Sequence, residues 1–143
     1  MTSPWAARRQ ALRARLGRRD GALITFLPNI RYLTGFTGST ALLAFTPQRE
    51  HLIVDFRYVE QAEAEVDCEV TRREGILEEK IGEWLEGVHR CAFEAEHVTV
   101  ATRERLRGGR KAGDAGGTGV RFEPTAELVE RLRVVKDAEE IRR

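Results

Sequence analysis

Short continuous runs of apolar residues alternate along the chain with longer stretches in which apolar residues recur at helical spacing. The short runs predict buried strands at residues 22–27, 40–45, 51–54, 67–71, 90–93 and 120–123. The longer stretches predict helices at residues 4–17, 57–65, 76–85 and 102–107, and a further helix that carries Leu128, Leu132 and Val135. A stop at Pro28-Asn29 and one helical turn at 30–33 separate the first two strands. The second and third strands form a hairpin, so the order of elements predicts an α/β domain with a mixed sheet.

Local signals mark where several of these helices begin. Ser3 is placed to cap the first helix and Pro4 suits its first position. Two later helices have a hydroxyl residue placed as a cap, Thr102 and Thr125. Asp137 and Glu140 have the spacing of a capping box, which predicts that another helix begins there. A helix that starts so close to the last residue indicates a piece of a longer polypeptide.

Composition restricts the class of protein without naming a ligand. The 143 residues suffice for one domain with a core, and 41% hydrophobic and 33% charged residues are ordinary for a globular protein. A net charge of +1 gives no field that would attract nucleic acid. No apolar run reaches the roughly 20 residues of a membrane-spanning helix. We therefore expect neither a nucleic-acid nor a membrane partner.

The cysteines and the arginine-rich N-terminal segment give information about the cellular compartment of the protein. Cys68 and Cys91 each lie in a predicted strand without metal-ligand spacing, which favours two buried free thiols in a reducing, cytoplasmic compartment. A disulfide or a metal role is the alternative. Residues 8–19 hold six arginines and no acid, as a transit peptide could, but the capped amphipathic pattern favours a surface helix.

The residue types offer no catalytic or metal centre. The histidines are His51, His89 and His97, and their spacing favours ordinary exposed or capping roles. His97 with Glu94 and Glu96 comes nearest to a cluster. The serines lack a nucleophile elbow, and the first two strands hold no acid for a nuclease. Residues 108–119 are rich in glycine but lack the spacing of a phosphate loop, so they are interpreted as a surface loop.

Residues 29–61 form the most distinctive segment, with NIRYLTGFTGS followed by an apolar run and DFRYVEQA. A plain strand–loop–strand unit does not need this combination. The residues interpreted as loop and cap positions are Asn29, Gly35, Gly38, Ser39 and Asp55, and the two glycines are expected to adopt backbone angles that other residues resist. The residues that could face another surface are Tyr32, Phe36, Arg57 and Tyr58. For the aromatic residues the alternative is packing on the domain's own core, and for Arg57 a bond to a nearby carboxylate or carbonyl.

NIRYLTGFTGS and DFRY-x-x-QA resemble the N-terminal domain of the creatinase/prolidase/aminopeptidase P family. Residues 132–141 resemble the junction from that domain into a catalytic domain. The resemblance implies a ribonuclease-H-like layout, a mixed sheet with helices on both faces. It also implies that residues 1–133 are this domain and that residues 134–143 begin the linker helix to a metallopeptidase domain that the chain lacks.

The resemblance further implies a non-catalytic role in a Xaa-Pro aminopeptidase or dipeptidase. Those enzymes hold two divalent metals, such as manganese, with two Asp, one His and two Glu of the catalytic domain, and no residue here matches them. The implied roles are oligomer assembly, as a homodimer, and substrate access. The implied partners are the chain's own catalytic domain and proline-containing peptides, and the implied site residues are again Tyr32, Phe36, Arg57 and Tyr58. The alternative is a free-standing interaction domain without a peptidase half.

Overall fold

The computed structural model describes residues 3–73, 77–108 and 120–134, and of residues 77–80 and 106–108 it describes the backbone alone. Its helices are α1 (Pro4–Arg15), α2 (Leu27–Thr34), α3 (Val59–Glu65), α4 (Leu77–Trp84), α5 (Val100–Gly108) and α6 (Glu130–Val134). Its strands are β1 (Gly21–Ile24), β2 (Leu42–Phe45), β3 (Glu50–Val54), β4 (Glu69–Arg72), β5 (Arg90–Glu94) and β6 (Arg121–Thr125).

The described strands form one six-stranded sheet in the order β4-β3-β2-β1-β5-β6. Strand β2 pairs antiparallel with both β1 and β3, and the remaining neighbours pair parallel. The β2–β3 hairpin and the mixed sheet are therefore confirmed. Because β5 and β6 run parallel, they bring residues that follow position 94 close to residues that follow position 125.

Helices cover both faces of the sheet, as predicted. On one face, buried residues of α1 and α2 pack with alternate residues of β1, β2 and β3, together with Leu128 and Val129 before α6. On the other face, Ile81, Trp84 and Leu85 pack over the opposite side chains of the same strands. This division follows from the two-residue period of a strand, which sends neighbouring side chains to opposite faces.

Helix α2 differs most from the prediction. Pro28-Asn29 does not stop a strand, since both residues lie in the first turn of α2, and β1 ends earlier at Ile24. Proline is tolerated there because the first-turn N–H groups have no partner within the helix and its fixed φ suits the helix. The short apolar run before Pro28 hides this start, because strands and buried helix turns look alike over so few residues.

Two of the predicted caps are wrong. The hydroxyl of Thr99, not Thr102, accepts the hydrogen bond at the start of α5, from the N–H of Thr102 at 3.0 Å. Thr125 ends β6, and its hydroxyl lies 2.5 Å from an Arg19 guanidinium nitrogen. The cap at Ser3 is confirmed, since its hydroxyl accepts from the N–H of Ala6 at 3.0 Å.

Other sequence predictions lie outside the described residues. They are the glycine-rich positions 109–119, the helix start at Ile76 and the capping box at Asp137 and Glu140. No helix in the described ranges is both long and apolar enough to cross a bilayer.

Buried titratable groups fill part of the core. Cys68 and Cys91 are free thiols, as predicted, but Cys91 is buried whereas Cys68 is half-buried, and its partial burial raises the pKa of Cys68 to about 11. His51 is fully buried, so its interpretation as an exposed or capping residue is wrong. It shares a strand face with Ile53 and therefore points toward α4, where its Nε2 lies 2.8 Å from the Trp84 carbonyl oxygen.

Candidate functional site

Helix α2 and the glycine loop after it position the start of the distinctive segment. Gly35 follows α2 in the left-handed conformation with φ of 83°, as predicted. Gly38 has no positive φ, so the expectation of an unusual backbone angle is wrong there. Its need for glycine is steric, because a Cβ at Gly38 would lie 2.2 Å from Cζ of Phe36. The loop is therefore shaped around the Phe36 ring.

Phe36 connects this loop to the DFRY segment. Its side chain is only 2% exposed and belongs to the core. The Phe36 and Tyr58 rings meet edge to face, with centroids 6.0 Å apart. The Tyr58 hydroxyl lies 2.5 Å from Oγ of Ser39 on the exposed side of the loop. The structure thus brings Phe36, Ser39 and Tyr58 together, with Phe36 beneath and the two hydroxyls above.

Asp55 and Arg57 form a closed turn beside Tyr58. The Arg57 N–H donates to Oδ1 of Asp55 at 2.9 Å, and its guanidinium donates to Oδ2 at 2.8 Å. These bonds, led by the side-chain bond, hold the pKa of Asp55 below its ordinary value. Helix α3 begins only at Val59 and has no side-chain cap, so Asp55 caps the turn and not the helix.

The exposed part of this region is called the Tyr58 surface here and consists of Ser39, Phe56, Arg57 and Tyr58. The Arg57 side chain is 62% exposed and lies over the Tyr58 ring at 5.5 Å. Phe56 is 68% exposed, and reasoning from sequence overlooked it. Its place inside DFRY was the available signal, since β3 ends at Val54 and Phe56 lies in the turn that follows the strand. An exposed aromatic residue beside an exposed cation is typical of a contact surface.

Tyr32 lies apart from the Tyr58 surface. It lines a cleft of about 220 Å³ with Trp5, Arg8, Pro28, Arg31, Gly35, Thr37 and Arg133. Its hydroxyl donates to the carbonyl oxygen of Leu132 in α6 at 3.1 Å, and the Arg8 guanidinium stacks on its ring at 4.4 Å. Tyr32 therefore ties α1 and α2 to the last described helix.

Asn29 is the centre of a polar junction that the sequence did not reveal. We call it the Asn29 cluster, and it consists of Asn29, Glu94, His97, Glu130 and Arg133. The buried Asn29 amide donates to Oε2 of Glu94 at 2.6 Å and to Oε2 of Glu130 at 2.9 Å. The guanidinium of Arg133 donates to the side-chain Oδ1 of Asn29 at 3.1 Å. Asn29 therefore has a structural role, but it lies in helix α2, so its interpretation as a loop residue is wrong.

The carboxylates of the Asn29 cluster are held in different ways. Glu94 is fully buried, and its Oε1 accepts from the N–H groups of Thr25 at 2.7 Å and Phe26 at 2.9 Å. Burial opposes the ionisation of Glu130, but hydrogen bonds from Asn29 and then from His97 outweigh it and lower its pKa. The partners of Glu130 therefore favour its charged form.

The predicted grouping of His97 with Glu94 is present, but Glu96 is not part of it. The exposed Glu96 accepts instead from the N–H of Glu127 at 2.8 Å. Glu130 takes its place, with its Oε2 at 2.7 Å from Nε2 of His97. The parallel pairing of β5 with β6 causes this approach, and no local pattern in the sequence signals it.

The same segments match a known family. The model of the creatinase/prolidase N-terminal domain matches residues 8–135, which include the Tyr58 surface, the Asn29 cluster and the Tyr32 cleft except for Trp5. The chain belongs to this family. Its mixed sheet with helices on both faces is also the fold of solved structures of creatinase/prolidase N-terminal domains.

Among relatives of this creatinase/prolidase N-terminal domain, the "Uncharacterized peptidase YqhT" of Bacillus subtilis is 36% identical over 126 residues, which are 86% of this chain and 34% of that protein. A Xaa-Pro dipeptidase from Bacillus anthracis superposes with a TM-score of 0.83 at 28% identity, over 96% of this chain and 38% of that one. The N-terminal domain of the cytoplasmic peptidase PepQ from Mycobacterium tuberculosis superposes with a TM-score of 0.76 at 32% identity, over 89% of this chain and 98% of that one. The chain therefore spans about a third of the full-length relatives and nearly all of the separately solved domain.

The metals implied by the family do not fit the described part of this domain. Their ligand set comprises two Asp, one His and two Glu, whereas the described donor group that could hold an ion comprises Glu94, His97 and Glu130 and contains no Asp. The ligands of the implied pair of metals are therefore not assigned to this chain.

Proposed function

We propose that this chain is the non-catalytic N-terminal domain of a Xaa-Pro metallopeptidase of the aminopeptidase P or prolidase type. The observation that carries the proposal is the family match over residues 8–135 in a chain that spans 34% and 38% of two peptidase relatives. In the whole protein, the remaining two thirds would hold two divalent metals, such as manganese, and cleave the bond before proline.

The role of this domain would be assembly and substrate access. The Tyr58 surface supports this role, because Arg57 and Phe56 are well exposed, while Asp55 fixes Arg57 and the buried Phe36 packs against the Tyr58 ring. Hydroxyl, guanidinium and aromatic groups on a rigid support are suited to a peptide or to a second subunit. The partners would be the chain's own catalytic domain, a second copy of the protein, and proline-containing peptides. The compartment would be the cytoplasm, since a relative is described as a cytoplasmic peptidase.

The access role predicts a kinetic effect in the full-length enzyme. Arg57→Ala and Tyr58→Phe should each lower kcat/KM for Xaa-Pro peptides by about tenfold or less, because each removes one contact with substrate or with a neighbouring subunit. Arg121→Ala is the matched control, since Arg121 is an exposed arginine on β6 at the opposite edge of the sheet. Unchanged constants in both variants, with unchanged oligomeric state by light scattering, would refute the access role.

A separate experiment distinguishes this proposal from a free-standing interaction domain. The proposal requires a reading frame that continues past codon 143 into a peptidase domain, whereas the alternative requires a stop codon there. Purified residues 1–143 should not hydrolyse a Gly-Pro dipeptide in the presence of manganese. Turnover by this chain alone would contradict both interpretations.

A further inference from the structure

Three potential metal ligands converge in the Asn29 cluster. One ligand atom each from Glu94, His97 and Glu130 lies within 4.8 Å of the others. They come from the end of β5, the turn after it and the start of α6. Ligand atoms around one tetrahedral ion are about 3.4 Å apart, because each bond is about 2.1 Å long. Shifts on the order of 1 Å would therefore suffice to form a site.

Glu94 is oriented for such a site by the backbone. Its Oε1 is occupied by the N–H groups of Thr25 and Phe26, which fixes the carboxylate and directs Oε2 toward the cluster. Oε2 has the Asn29 amide as its partner at 2.6 Å. Since Glu94 is fully buried, this oxygen is shielded from water.

Glu130 and His97 complete the group from the other side. Oε2 of Glu130 accepts from Asn29 and lies 2.7 Å from Nε2 of His97, whereas its Oε1 is buried and has no hydrogen-bond partner. The His97 ring is held by the parallel ring of Phe26, with centroids 3.7 Å apart. A buried carboxylate oxygen without a partner is costly and indicates a missing donor or cation.

We propose that Glu94, His97 and Glu130 bind one divalent transition-metal ion such as Zn²⁺ or Mn²⁺. The ligands are Oε2 of Glu94, Nε2 of His97 and the Glu130 carboxylate, including its unpartnered Oε1. The ion replaces the Asn29 amide group, which now donates to both carboxylates from the position between them. One imidazole with two carboxylates favours such ions over Ca²⁺ and Mg²⁺, which prefer oxygen ligands alone. This site is independent of the proposed peptidase function, whose metals belong to another domain.

Calorimetric titration of metal-free residues 1–143 with ZnCl₂ and with MnCl₂ tests the site. We expect one ion per chain, and a loss of affinity of about tenfold or more in His97→Ala and in Glu130→Gln. The matched controls are His89→Ala and Glu127→Gln, which remove an exposed histidine and an exposed carboxylate elsewhere. The controls should bind like the wild type.

A measurement on the wild type covers the case in which a variant does not fold. Substoichiometric Mn²⁺ should broaden the amide NMR signals of Phe26, Asn29 and His97 before those of His51 and His89. Binding by neither metal, binding that both cluster variants retain, or broadening centred on another histidine would each overturn the proposal. None of these results would test whether the chain is the non-catalytic N-terminal domain of a peptidase.

Discussion

At the scale of single residues, His51 illustrates how burial controls the charge of a titratable group. Its Nε2 lies 2.8 Å from the Trp84 carbonyl oxygen and must carry the proton, so Nδ1 accepts from the Thr71 hydroxyl at 2.7 Å. Burial lowers the pKa of His51, and the bond to Trp84 offsets this only in part. The folded protein therefore favours the neutral ring.

This preference predicts a loss of stability in mild acid. The pKa of His51 is lower in the folded protein than in the unfolded protein, where it is about 6.5. The fold is therefore most stable above pH 6.5 and loses stability as the pH falls below this value. Uptake of up to one proton on unfolding limits the slope to about 1.4 kcal/mol per pH unit. Urea unfolding between pH 5 and 8 should show the slope in the wild type and in the control His89→Ala, but not in His51→Gln. If His51→Gln shows the same slope as the wild type, the pH dependence of the stability comes from another titratable group.

At the scale of elements, two helices end with a glycine in the left-handed conformation but in different surroundings. Gly17 after α1 has φ of 63°, and a Cβ there would meet nothing within 4 Å. Gly35 after α2 has φ of 83°, and a Cβ there would lie 3.0 Å from the Trp5 ring. The pair separates the cost of the backbone conformation from the cost of a steric contact.

Alanine at these positions should therefore destabilise the protein to different extents. Gly17→Ala should cost about 1 kcal/mol, because a left-handed conformation disfavours any Cβ. Gly35→Ala should cost more, since Trp5 has to move as well. Denaturant unfolding of both variants gives the free energies of unfolding that decide this. If Gly17→Ala lowers the free energy of unfolding as much as Gly35→Ala or more, Trp5 moves away from the added Cβ without a measurable energetic cost.

The elements differ in how far sequence could predict them. Strands β2, β3 and β5 were predictable because each is a short apolar run bounded by polar or turn residues. The left-handed Gly35 was also predictable, since glycine commonly follows a helix. The start of α2 was not, because an apolar run before a proline fits a strand end and a helix start equally well. Thr99 was missed as a cap because a second threonine lies three residues later.

At the scale of the whole molecule, the contacts that sequence could not predict join distant segments. The Asn29 cluster unites residues 29, 94, 97, 130 and 133, which meet only because β5 lies between β1 and β6. The Tyr58 surface was partly predictable, since its members lie in one distinctive segment. The burial of Phe36 beneath it depends on the packing of α2, α3 and the sheet, which no local pattern specifies.

Arg9 is a second connection of this kind, between α1 and the far edge of the sheet. Its side chain is only 5% exposed, and one guanidinium nitrogen lies 2.9 Å from a carboxylate oxygen of Asp67, just before β4. Another donates to the carbonyl oxygen of Leu33 at 2.9 Å. The Ser3 hydroxyl also donates to Asp67, so both the cap of α1 and its buried arginine converge on this carboxylate.

A double-mutant cycle should show that Arg9 and Asp67 stabilise the fold jointly. Asp67→Asn removes the charge opposite a buried guanidinium, and we expect a cost of about 1 kcal/mol, reduced by water because Asp67 is 38% exposed. In an Arg9→Met background, which keeps the apolar stem, the same change should cost little, since the buried cation that pairs with Asp67 is absent. Urea unfolding of the four proteins gives the coupling energy. Strictly additive costs would show that Asp67 stabilises the fold only through Ser3.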